Sequence, residues 1–548
     1  MIGPARRPGQ DQFRTTEQAS RDRPPTLTSK SVPRARARRR IWARFEMLTA
    51  EKPTSTRSGA ILLVRLDRQS SRPLSDQIYS GIRTAIETGR LVSGASLPSS
   101  RALARDLGVA RSTIILAYEH LRKEGFVDSA LGRVHRVIAR AESPRAGPVR
   151  TPGRAEPTPA PLSRRGARIA AMPFDGFSGI TETPRAFRTG VPALDLFPVG
   201  IWQKLLARAW RRSSTRALGY GDPLGYLPLR QAIGQYLRSA RGLLCHEDQI
   251  LICAGSQQAI NLCAQLTFDP GDAVWMEDPG YAVARHALAV NEARIVPVPV
   301  DGAGLDVRAG IEAAPRARLA YVTPARQCPL GVTMSIARRE ALLAWARASD
   351  AWILEDDYDA ELRYASRPPA PLWTLDPNGR VIFVGTLSKI LFPALRLGYI
   401  VVPPPLVEAF RRLRVLSDFA SPNLLQATVA EFITEGHFER HIRRMRTLYQ
   451  RRQELLVHVL KKRLGDRVEV ASSDAGMNLV VWLPPHLGDR LVVAEAKRHD
   501  LDLMPLSALT VAHHRRPGLL LGFGGIQERE IVEGVDRLER VLRLIRRD

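Results

Sequence analysis

The sequence contains no apolar run approaching the roughly 20 residues that a membrane-spanning helix needs. Its start, MIGPARRPGQDQF, has no hydrophobic segment typical of a secretory signal. Only four of the 548 residues are cysteines, and they form neither a C-x-x-C pair nor a zinc-binding spacing. These absences argue against a membrane protein, a secreted disulfide-rich protein and a zinc-binding module. We therefore expect a soluble cytoplasmic protein with reduced thiols.

Acidic residues are scarce relative to basic ones: 81 Lys and Arg oppose 55 Asp and Glu, giving a formal charge of +26. A chain this basic binds polyanions to some degree whatever its fold. High Arg, Ala and Pro usage can also reflect genome composition, so the charge alone does not establish nucleic-acid binding. The chain exceeds one ordinary domain in length and can bury at least one large core.

Four segments differ in composition and patterning. Residues 1–60 are rich in Arg, Pro, Ser and Thr without periodicity, which predicts disorder, and Met47 is an alternative start. Residues 61–140 show helix and turn signals, and residues 141–170 form a Pro-rich linker. In residues 171–548, apolar strand-like runs alternate with helical patterns, which predicts the α/β class with a mainly parallel sheet.

The first folded segment has the pattern of a helix-turn-helix. A glycine turn at Gly108 separates two short helices, and the second runs from about Arg111 to Glu124. The predicted buried stripe of this second helix consists of Ile114, Ala117, Tyr118 and Leu121. Its first turn would offer to the major groove of DNA the side chains of Arg111, Ser112 and Thr113. An ordinary three-helix packing module with solvated arginines is the alternative.

The stretch GRLVSGASLPSSRALARDLGVARSTIILAYEHLRKEGFV resembles the winged helix-turn-helix of the GntR family of transcription regulators. The resemblance covers nearly all of residues 74–139 and implies that Arg101, Arg111 and Ser112 contact an operator in double-stranded DNA. The following residues, FVDSALGRVHRVIA, would form a two-stranded wing with Arg133 and His135 near its tip. Family members usually have a glycine-rich tip with a threonine, from which SALGRVHRV departs.

In the larger segment, five apolar runs each end in polar or aromatic residues. Ligands of open α/β sheets bind at the carboxyl ends of the parallel strands, so these residues are expected to meet. After QILICAG, the residues Ser256 and Gln257 open a helix behind a glycine turn, which is a favourable phosphate site. The other runs end in Tyr281, in the Pro-containing loop TPARQCPLG, in Asp356 with Tyr358, and in Thr386 with Lys389.

Lys389 lies in an apolar stretch, where an ammonium is costly unless it is paired, turned to solvent or chemically special. The residues at the strand ends together provide a lysine, a carboxylate, tyrosines and a phosphate cradle that includes Arg396. These are the groups that bind pyridoxal 5'-phosphate (PLP). As an imine, Lys389 would be held by the cofactor. The alternatives are a lysine that ends a strand and points into water and, for EDDYD, a solvated acidic turn or a metal loop.

The motifs YGDPLGYLPLRQAIGQYL, AGSQQAINL, EDPGY, TPARQCPLG, EDDYDAELRY and GTLSKILFPALRLGY together resemble a fold-type I aminotransferase domain over about residues 190–530. With its GntR-like head, the whole chain resembles the MocR subfamily of regulators. The resemblance implies that Lys389 is the Schiff-base lysine. It also implies the roles of the other site residues: Asp356 at the pyridine nitrogen, Tyr358 at the ring hydroxyl, Tyr281 stacked on the ring, Ser256, Gln257, Thr386 and Arg396 at the phosphate, and Tyr220 at the phosphate of a neighbouring subunit in a homodimer.

Two positions depart from true aminotransferases. Cys328 stands where their loop usually supplies an asparagine, and Leu520 aligns with their carboxylate-binding arginine. Loss of that bidentate clamp disfavours efficient transamination, although Arg326, Arg515 or Arg516 could substitute.

We therefore expect a DNA-binding transcription regulator that senses PLP or an amino compound. One alternative is a PLP-dependent aminotransferase with an incidental DNA-binding head. The other is a nucleic-acid-binding protein whose large domain is an inactive scaffold for dimerisation. The set of lysine, aspartate and tyrosine argues against the inactive scaffold, and the missing arginine argues against the working enzyme.

Overall fold

The computed structural model describes residues 66–68, 70–128, 135–138, 162–172, 185–213, 218–364, 367–471, 473–513 and 516–545. The chain divides into two compact units, Met1–Thr158 and Pro159–Asp548. Among the described residues, each unit has hydrophobic clusters of its own. The extension predicted at residues 1–60 lies outside the described residues.

The described part of the smaller unit consists of three helices and two short paired strands. They are α1 (Leu74–Glu87), α2 (Ser100–Leu107), α3 (Arg111–Lys123), β1 (Val127–Asp128) and β2 (Arg136–Val137). The hydroxyl of Ser99 caps α2 by accepting a hydrogen bond from the N–H of Ala102 at 3.2 Å. Gly108 ends α2 in the left-handed conformation with a φ of 62°, which glycine adopts without steric cost.

The core of the smaller unit is formed by the apolar faces of the three helices. All four residues of the stripe predicted on α3 are buried: Ile114, Ala117, Tyr118 and Leu121. His135 directly precedes β2 of the two-stranded wing, and its ring packs edge-on against Tyr118, with 4.8 Å between ring centroids. Burial also lowers the pKa of the His135 imidazole. Arg133 lies outside the described residues.

The larger unit contains one large sheet flanked by helices and a smaller second sheet. Its helices are α4 (Arg164–Ala170), α5 (Val199–Arg212), α6 (Leu227–Arg241), α7 (Ser256–Thr267), α8 (Ala282–Val290), α9 (Val307–Ala313), α10 (Ile336–Ala348), α11 (Leu372–Leu375), α12 (Val407–Ser417), α13 (Asn423–Thr434), α14 (His437–Leu464), α15 (Asp489–Arg498) and α16 (Glu528–Ile545). The strands of the large sheet are β3 (Ile250–Cys253), β4 (Ala273–Asp278), β5 (Arg294–Asp301), β6 (Gly304–Leu305), β7 (Leu319–Val322), β8 (Trp352–Asp357), β9 (Val381–Thr386) and β10 (Gly398–Val401). Those of the second sheet are β11 (Glu469–Val470), β12 (Asn478–Trp482), β13 (Met504–Pro505) and β14 (Gly518–Gly522).

The large sheet has the strand order β3-β10-β9-β8-β7-β4-β5-β6. Strands β9, β8, β7, β4 and β5 run parallel to one another, whereas β10 runs antiparallel to both β3 and β9, and β6 runs antiparallel to β5. The strands β3, β4, β7, β8 and β9 therefore all point in one direction, and their carboxyl ends lie at one edge. This arrangement confirms the predicted α/β class with a mainly parallel sheet.

Both faces of the large sheet are buried, which explains why its strands read as continuous apolar runs. On β4, Val274 and Met276 pack into one cluster, while Trp275 packs into the cluster on the opposite face. The Trp275 ring stacks there on Trp345 of α10, with 3.7 Å between ring centroids. Since helices cover both faces, only the edge at the strand ends is open for polar side chains.

The second sheet is antiparallel, with the order β11-β12-β14-β13, and lies against α14 and α16. An earlier segment of the chain joins it, because Phe187 forms an antiparallel bridge with Gly522 and is fully buried. The residues after Phe187 are thereby anchored next to the second sheet.

Helix α4 lies within residues 141–170, for which the sequence predicts only an extended linker. It contacts α8, and Arg168 of α4 pairs with Glu292 at 2.9 Å. Among the described residues, none of the helices combines the length and the apolar character needed to cross a membrane.

Candidate functional site

Lys389 lies in the loop that follows β9, at the edge where the parallel strands end. Its side chain is partly buried, and Nζ donates a hydrogen bond to the carbonyl oxygen of Gly190 at 3.2 Å. Burial lowers the pKa of the Lys389 ammonium, whereas Cys328, Asp359 and Asp356 act in the opposite direction. Lys389 is therefore an amine with a lowered pKa in an acidic environment.

Asp356 is almost completely buried near the end of β8. Its Oδ2 accepts a hydrogen bond from the hydroxyl of Tyr321 at 2.6 Å, whereas its Oδ1 has no partner among the described residues. Burial raises the pKa of this carboxyl to about 6, and the Tyr321 hydrogen bond opposes the rise. Asp356 is therefore mostly ionised at neutral pH and has one oxygen free to accept a hydrogen bond.

Asp357 has a different partner, because successive strand residues point to opposite faces of a sheet. Its carboxylate pairs with Arg241 of α6 at 2.5 Å, and both side chains are buried. The acidic motif EDDYD is therefore neither a solvated turn nor a metal loop over these two residues. Asp356 therefore belongs to the candidate site, whereas Asp357 belongs to a structural ion pair.

Tyr358 follows β8 and lies beside a buried arginine. Its hydroxyl accepts a hydrogen bond from Nη1 of Arg326 at 3.1 Å. Arg326 also donates to Asp359 Oδ2 at 3.0 Å and to the carbonyl oxygen of Asn478 at 2.8 Å. Three acceptors thus hold this guanidinium, which makes Arg326 a poor substitute for the missing carboxylate-binding arginine.

Leu520 lies on β14 within a buried apolar cluster that includes Val480, Leu506 and Leu509. An apolar residue therefore occupies the position at which the resemblance places a carboxylate-binding arginine. Arg516 pairs with Glu469 at 2.5 Å, so it too is engaged elsewhere. Arg515 lies outside the described residues.

The turn between β3 and α7 forms a cradle for an anion. Gly255 has a φ of 87° and places Ser256 and Gln257 in the first turn of α7, where backbone N–H groups have no helical partners. The Arg396 guanidinium lies across this turn: Nη2 donates to the carbonyl oxygen of Ala254 at 3.0 Å, and a Cβ on Gly255 would lie 3.5 Å from it. Three of the predicted phosphate residues are therefore brought together.

Thr386 and Tyr281 are positioned by neighbouring strands. Thr386 ends β9 opposite Gly398, which in turn pairs with Cys253 of β3, so Thr386 lies close to the cradle. Tyr281 follows β4 and directly precedes α8. Burial raises the pKa of its phenol, Asp356 acts in the same direction, and Gln257 opposes it. Tyr281 therefore lies near both Gln257 of the anion cradle and the carboxyl of Asp356.

Within the described part of the chain, Asp356 Oδ1 and Ser388 Oγ are buried and form no hydrogen bond, and the same holds for Asp357 Oδ1, Asp359 Oδ1 and Arg326 Nε of the two buried ion pairs. Unpaired buried polar atoms are costly, so they commonly mark a place where a bound group completes the hydrogen bonding. The free acceptor of Asp356 on β8 and the free hydroxyl of Ser388, next to Lys389 in the chain, suit PLP, which carries a protonated ring nitrogen and a phosphate.

Tyr220 is not part of this buried set. Its side chain is 84% exposed, and its ring lies 5.2 Å from that of Phe419. The structure of one chain thus leaves Tyr220 open to a second molecule.

Sequence reasoning missed Tyr321, Gly190 and Asn478. The sequence did contain a signal for Tyr321. In the parallel pair of β7 and β8, Tyr321 lies opposite Leu354. Asp356 is two residues after Leu354 and therefore points to the same face of the sheet as Leu354 and Tyr321. No local pattern connects Gly190 to Lys389 or Asn478 to Arg326.

In the smaller unit, the residues predicted to contact DNA lie at the start of α3 and on α2. Arg111, Ser112 and Arg101 are exposed, whereas Thr113 is partly buried. The Arg111 Nε donates to the hydroxyl of Ser100 at 3.4 Å, which is a long and therefore weak hydrogen bond. Arg111 and Ser112 thus project from the first turn of a helix, as required for reading base edges.

Two family models match the chain. The model of bacterial regulatory proteins of the gntR family matches residues 74–137, and that of aminotransferase class I and II matches residues 193–516. Together they cover both compact units and agree with the winged helix-turn-helix and the aminotransferase-like fold predicted from the sequence.

Similar proteins combine the same two parts. The probable rhizopine catabolism regulatory protein MocR of Rhizobium meliloti is 38% identical over 483 residues, which cover 86% of this chain and 94% of that protein. The pyridoxine biosynthesis transcriptional regulator PdxR of Corynebacterium glutamicum is 29% identical, over 86% of this chain and 96% of that protein.

Among solved structures, the kynurenine aminotransferase of Pyrococcus horikoshii is similar, with a TM-score of 0.65 and 28% identity over 70% of this chain and 97% of that chain. The match covers the length of a complete aminotransferase subunit. The chain therefore belongs to the MocR-type regulators of the GntR family, in which a DNA-binding winged helix-turn-helix is joined to an aminotransferase class I/II domain.

Proposed function

We propose that this transcription regulator carries PLP on Lys389 and uses the loaded site to sense PLP itself or an amino compound. The observation that carries the proposal is the unpaired, buried Oδ1 of Asp356 in the same site as an amine of lowered pKa. The carboxylate accepts one hydrogen bond at Oδ2, so its second oxygen is available to accept a hydrogen bond from a protonated ring nitrogen.

Each side chain has a task that follows from its surroundings. A lowered pKa increases the fraction of Lys389 in the uncharged form, which is the form that bonds to an aldehyde. Asp356 would hold the ring nitrogen protonated, and Tyr281 would cover one face of the ring. When bound, PLP supplies an electron sink for a carbon attached to an amine.

The phosphate would be held at the start of α7. Ser256 and Gln257 contribute the backbone N–H groups of the first helical turn, and Arg396 contributes positive charge from the other side of Gly255. Thr386 would add a hydroxyl from the end of β9. This cradle is separate from Asp356, so retention of the phosphate and control of the ring nitrogen are expected to be separable by mutation.

We further propose a homodimer in which Tyr220 reaches the phosphate held by the partner subunit. The exposure of Tyr220 supports this role, because a tyrosine with 84% of its surface open to solvent has little to contact within its own chain. The neighbouring side chain of Leu218 is 62% exposed as well, so an apolar contact surface extends along the chain.

A sensing role is favoured over efficient transamination. Leu520 lies in an apolar cluster, and both Arg326 and Arg516 are held by acceptors of the chain itself. A substrate carboxylate would therefore lack the bidentate arginine that the resemblance predicts for an enzyme. The GntR-type unit supplies a DNA-binding output for such a sensor, and this output would place the protein in the cytoplasm.

The first test concerns Lys389. The PLP-loaded wild type is expected to absorb visible light, to lose its colour on borohydride reduction and to keep a covalent adduct. Lys389→Ala should form no adduct, because the amine that carries it is gone. The matched control is Lys204→Ala, at an exposed lysine of α5, which should behave as the wild type does. A reduced adduct on Lys389→Ala, detected by mass spectrometry, would disprove the assignment.

The second test separates the two aspartates of EDDYD. Asp356→Asn should retain PLP but weaken the spectral response to added amines, because the ring nitrogen loses its carboxylate. Asp357→Asn should instead lower the stability of the larger unit by about 3–5 kcal/mol, because the buried Arg241 loses its partner. The measurements are amine titrations followed by absorbance and denaturant unfolding. The assignment fails if the two variants show the reverse pattern.

The third test concerns DNA recognition. Arg111→Ala should weaken binding to a selected site by about 1–3 kcal/mol and relax sequence preference, because an arginine at this position suits the O6 and N7 of guanine. Lys123→Ala, at the other end of the same helix, should have a smaller and sequence-independent effect. Fluorescence anisotropy with matched and mismatched duplexes measures both. Equal effects of the two substitutions on all duplexes would contradict a recognition role for Arg111.

A further inference from the structure

Arg326 is a buried arginine in the loop after β7, with only 4% of its surface exposed. Its Nη1 donates to the Tyr358 hydroxyl at 3.1 Å and to Asp359 Oδ2 at 3.0 Å, while Nη2 donates to the carbonyl oxygen of Asn478 at 2.8 Å. The three contacts come from the region after β8 and from β12. They fix a planar group in both position and orientation.

The backbone next to β12 is shaped around this guanidinium. Gly476 has a φ of 80°, and a Cβ built on it would lie 2.6 Å from Arg326 Cζ and 2.8 Å from Asp359 Oδ2. No side chain could be accommodated at such distances without displacing the ion pair. Glycine at this position therefore allows the second sheet to close over Arg326 and Asp359.

The direction of the hydrogen bond between Arg326 and Tyr358 is fixed by chemistry. A guanidinium has five N–H donors and no acceptor, so the Tyr358 oxygen must accept. Burial raises the pKa of the Tyr358 phenol, so the group keeps its proton at neutral pH. The Tyr358 O–H bond must then point away from Arg326, toward a different acceptor.

We propose that Arg326 is a positioning residue that fixes the Tyr358 hydroxyl as a hydrogen-bond donor to the ring oxygen of bound PLP. The proposal rests on the function proposed above and concerns residues of this chain that do not themselves carry the cofactor. Asp359 and the Asn478 carbonyl hold the guanidinium, and the guanidinium orients the phenol. Accepting a charge-assisted hydrogen bond also makes the phenol a stronger donor.

This role has a spectroscopic consequence. A donor to the ring oxygen stabilises negative charge there and favours loss of the proton shared with the lysine nitrogen. The midpoint of the pH-dependent change in visible absorption is therefore lower with an oriented Tyr358 than without it. Tyr358→Phe removes the donor and is expected to raise this midpoint. Since Arg326 acts through the Tyr358 hydroxyl, substitution of Arg326 should shift the midpoint by no more than Tyr358→Phe does.

The test replaces the ion pair by neutral side chains of similar length, in the full-length, PLP-loaded protein. Arg326→Met with Asp359→Asn removes the guanidinium that donates to Tyr358 and leaves the net charge unchanged. The midpoint is expected to rise by about half to one pH unit, the size expected for the loss of one hydrogen bond. In a Tyr358→Phe background, the same pair of substitutions should produce no further shift.

The comparison between backgrounds decides the outcome. A shift of equal size with and without the Tyr358 hydroxyl would show a general structural effect and overturn the proposal, as would the absence of a shift. A wild type that shows no visible band with PLP would instead contradict the proposed function itself. If the Met and Asn variant does not fold, Arg326→Met with Asp359→Ser also removes both charges and the Arg326 donor, and the same outcomes apply.

Discussion

The larger unit depends on one geometric constraint: β3, β4, β7, β8 and β9 end at the same edge of a sheet that is buried on both faces. Because β10 is the antiparallel strand between β3 and β9, the loop after β9 lies beside the turn that opens α7. Residues far apart in sequence, such as Gln257, Asp356 and Lys389, are thereby collected in one place. Helices cover the rest of the sheet, so this edge is where polar chemistry can be placed.

Burial acts in opposite ways on the ionisable groups at this edge. It lowers the pKa of Lys389 and raises that of Asp356 to about 6, so each charged form is less stable than in water. Some partners are supplied by the chain itself, such as Tyr321 for Asp356 and Arg326 for Asp359. Asp356 Oδ1 remains unpaired within the described residues and is therefore available to accept a hydrogen bond from a bound group.

The sequence predicted the features that depend on local periodicity. The α3 stripe follows from apolar spacing, and the shared direction of the strands follows from the alternation of strand-like runs with helical patterns. The meeting of the residues at the strand ends follows from that direction. Contacts across long separations were not predictable: nothing local links Gly190 to Lys389, or Asn478 to Arg326. The contact between His135 and Tyr118 was likewise not predictable from spacing. Arg326 was considered as a ligand for substrate because its partner Asp359 could not be recognised from spacing.

A sensor of this kind requires that the state of the Lys389 site control DNA binding. The most direct measurement selects a DNA site from a random duplex pool with the PLP-loaded protein and then determines the affinity of the full-length chain for that site. The wild type and Lys389→Ala are compared, each with and without PLP. If the site controls DNA binding, PLP changes the affinity of the wild type for this DNA several-fold and leaves that of Lys389→Ala unchanged. Equal affinities under all four conditions would contradict it.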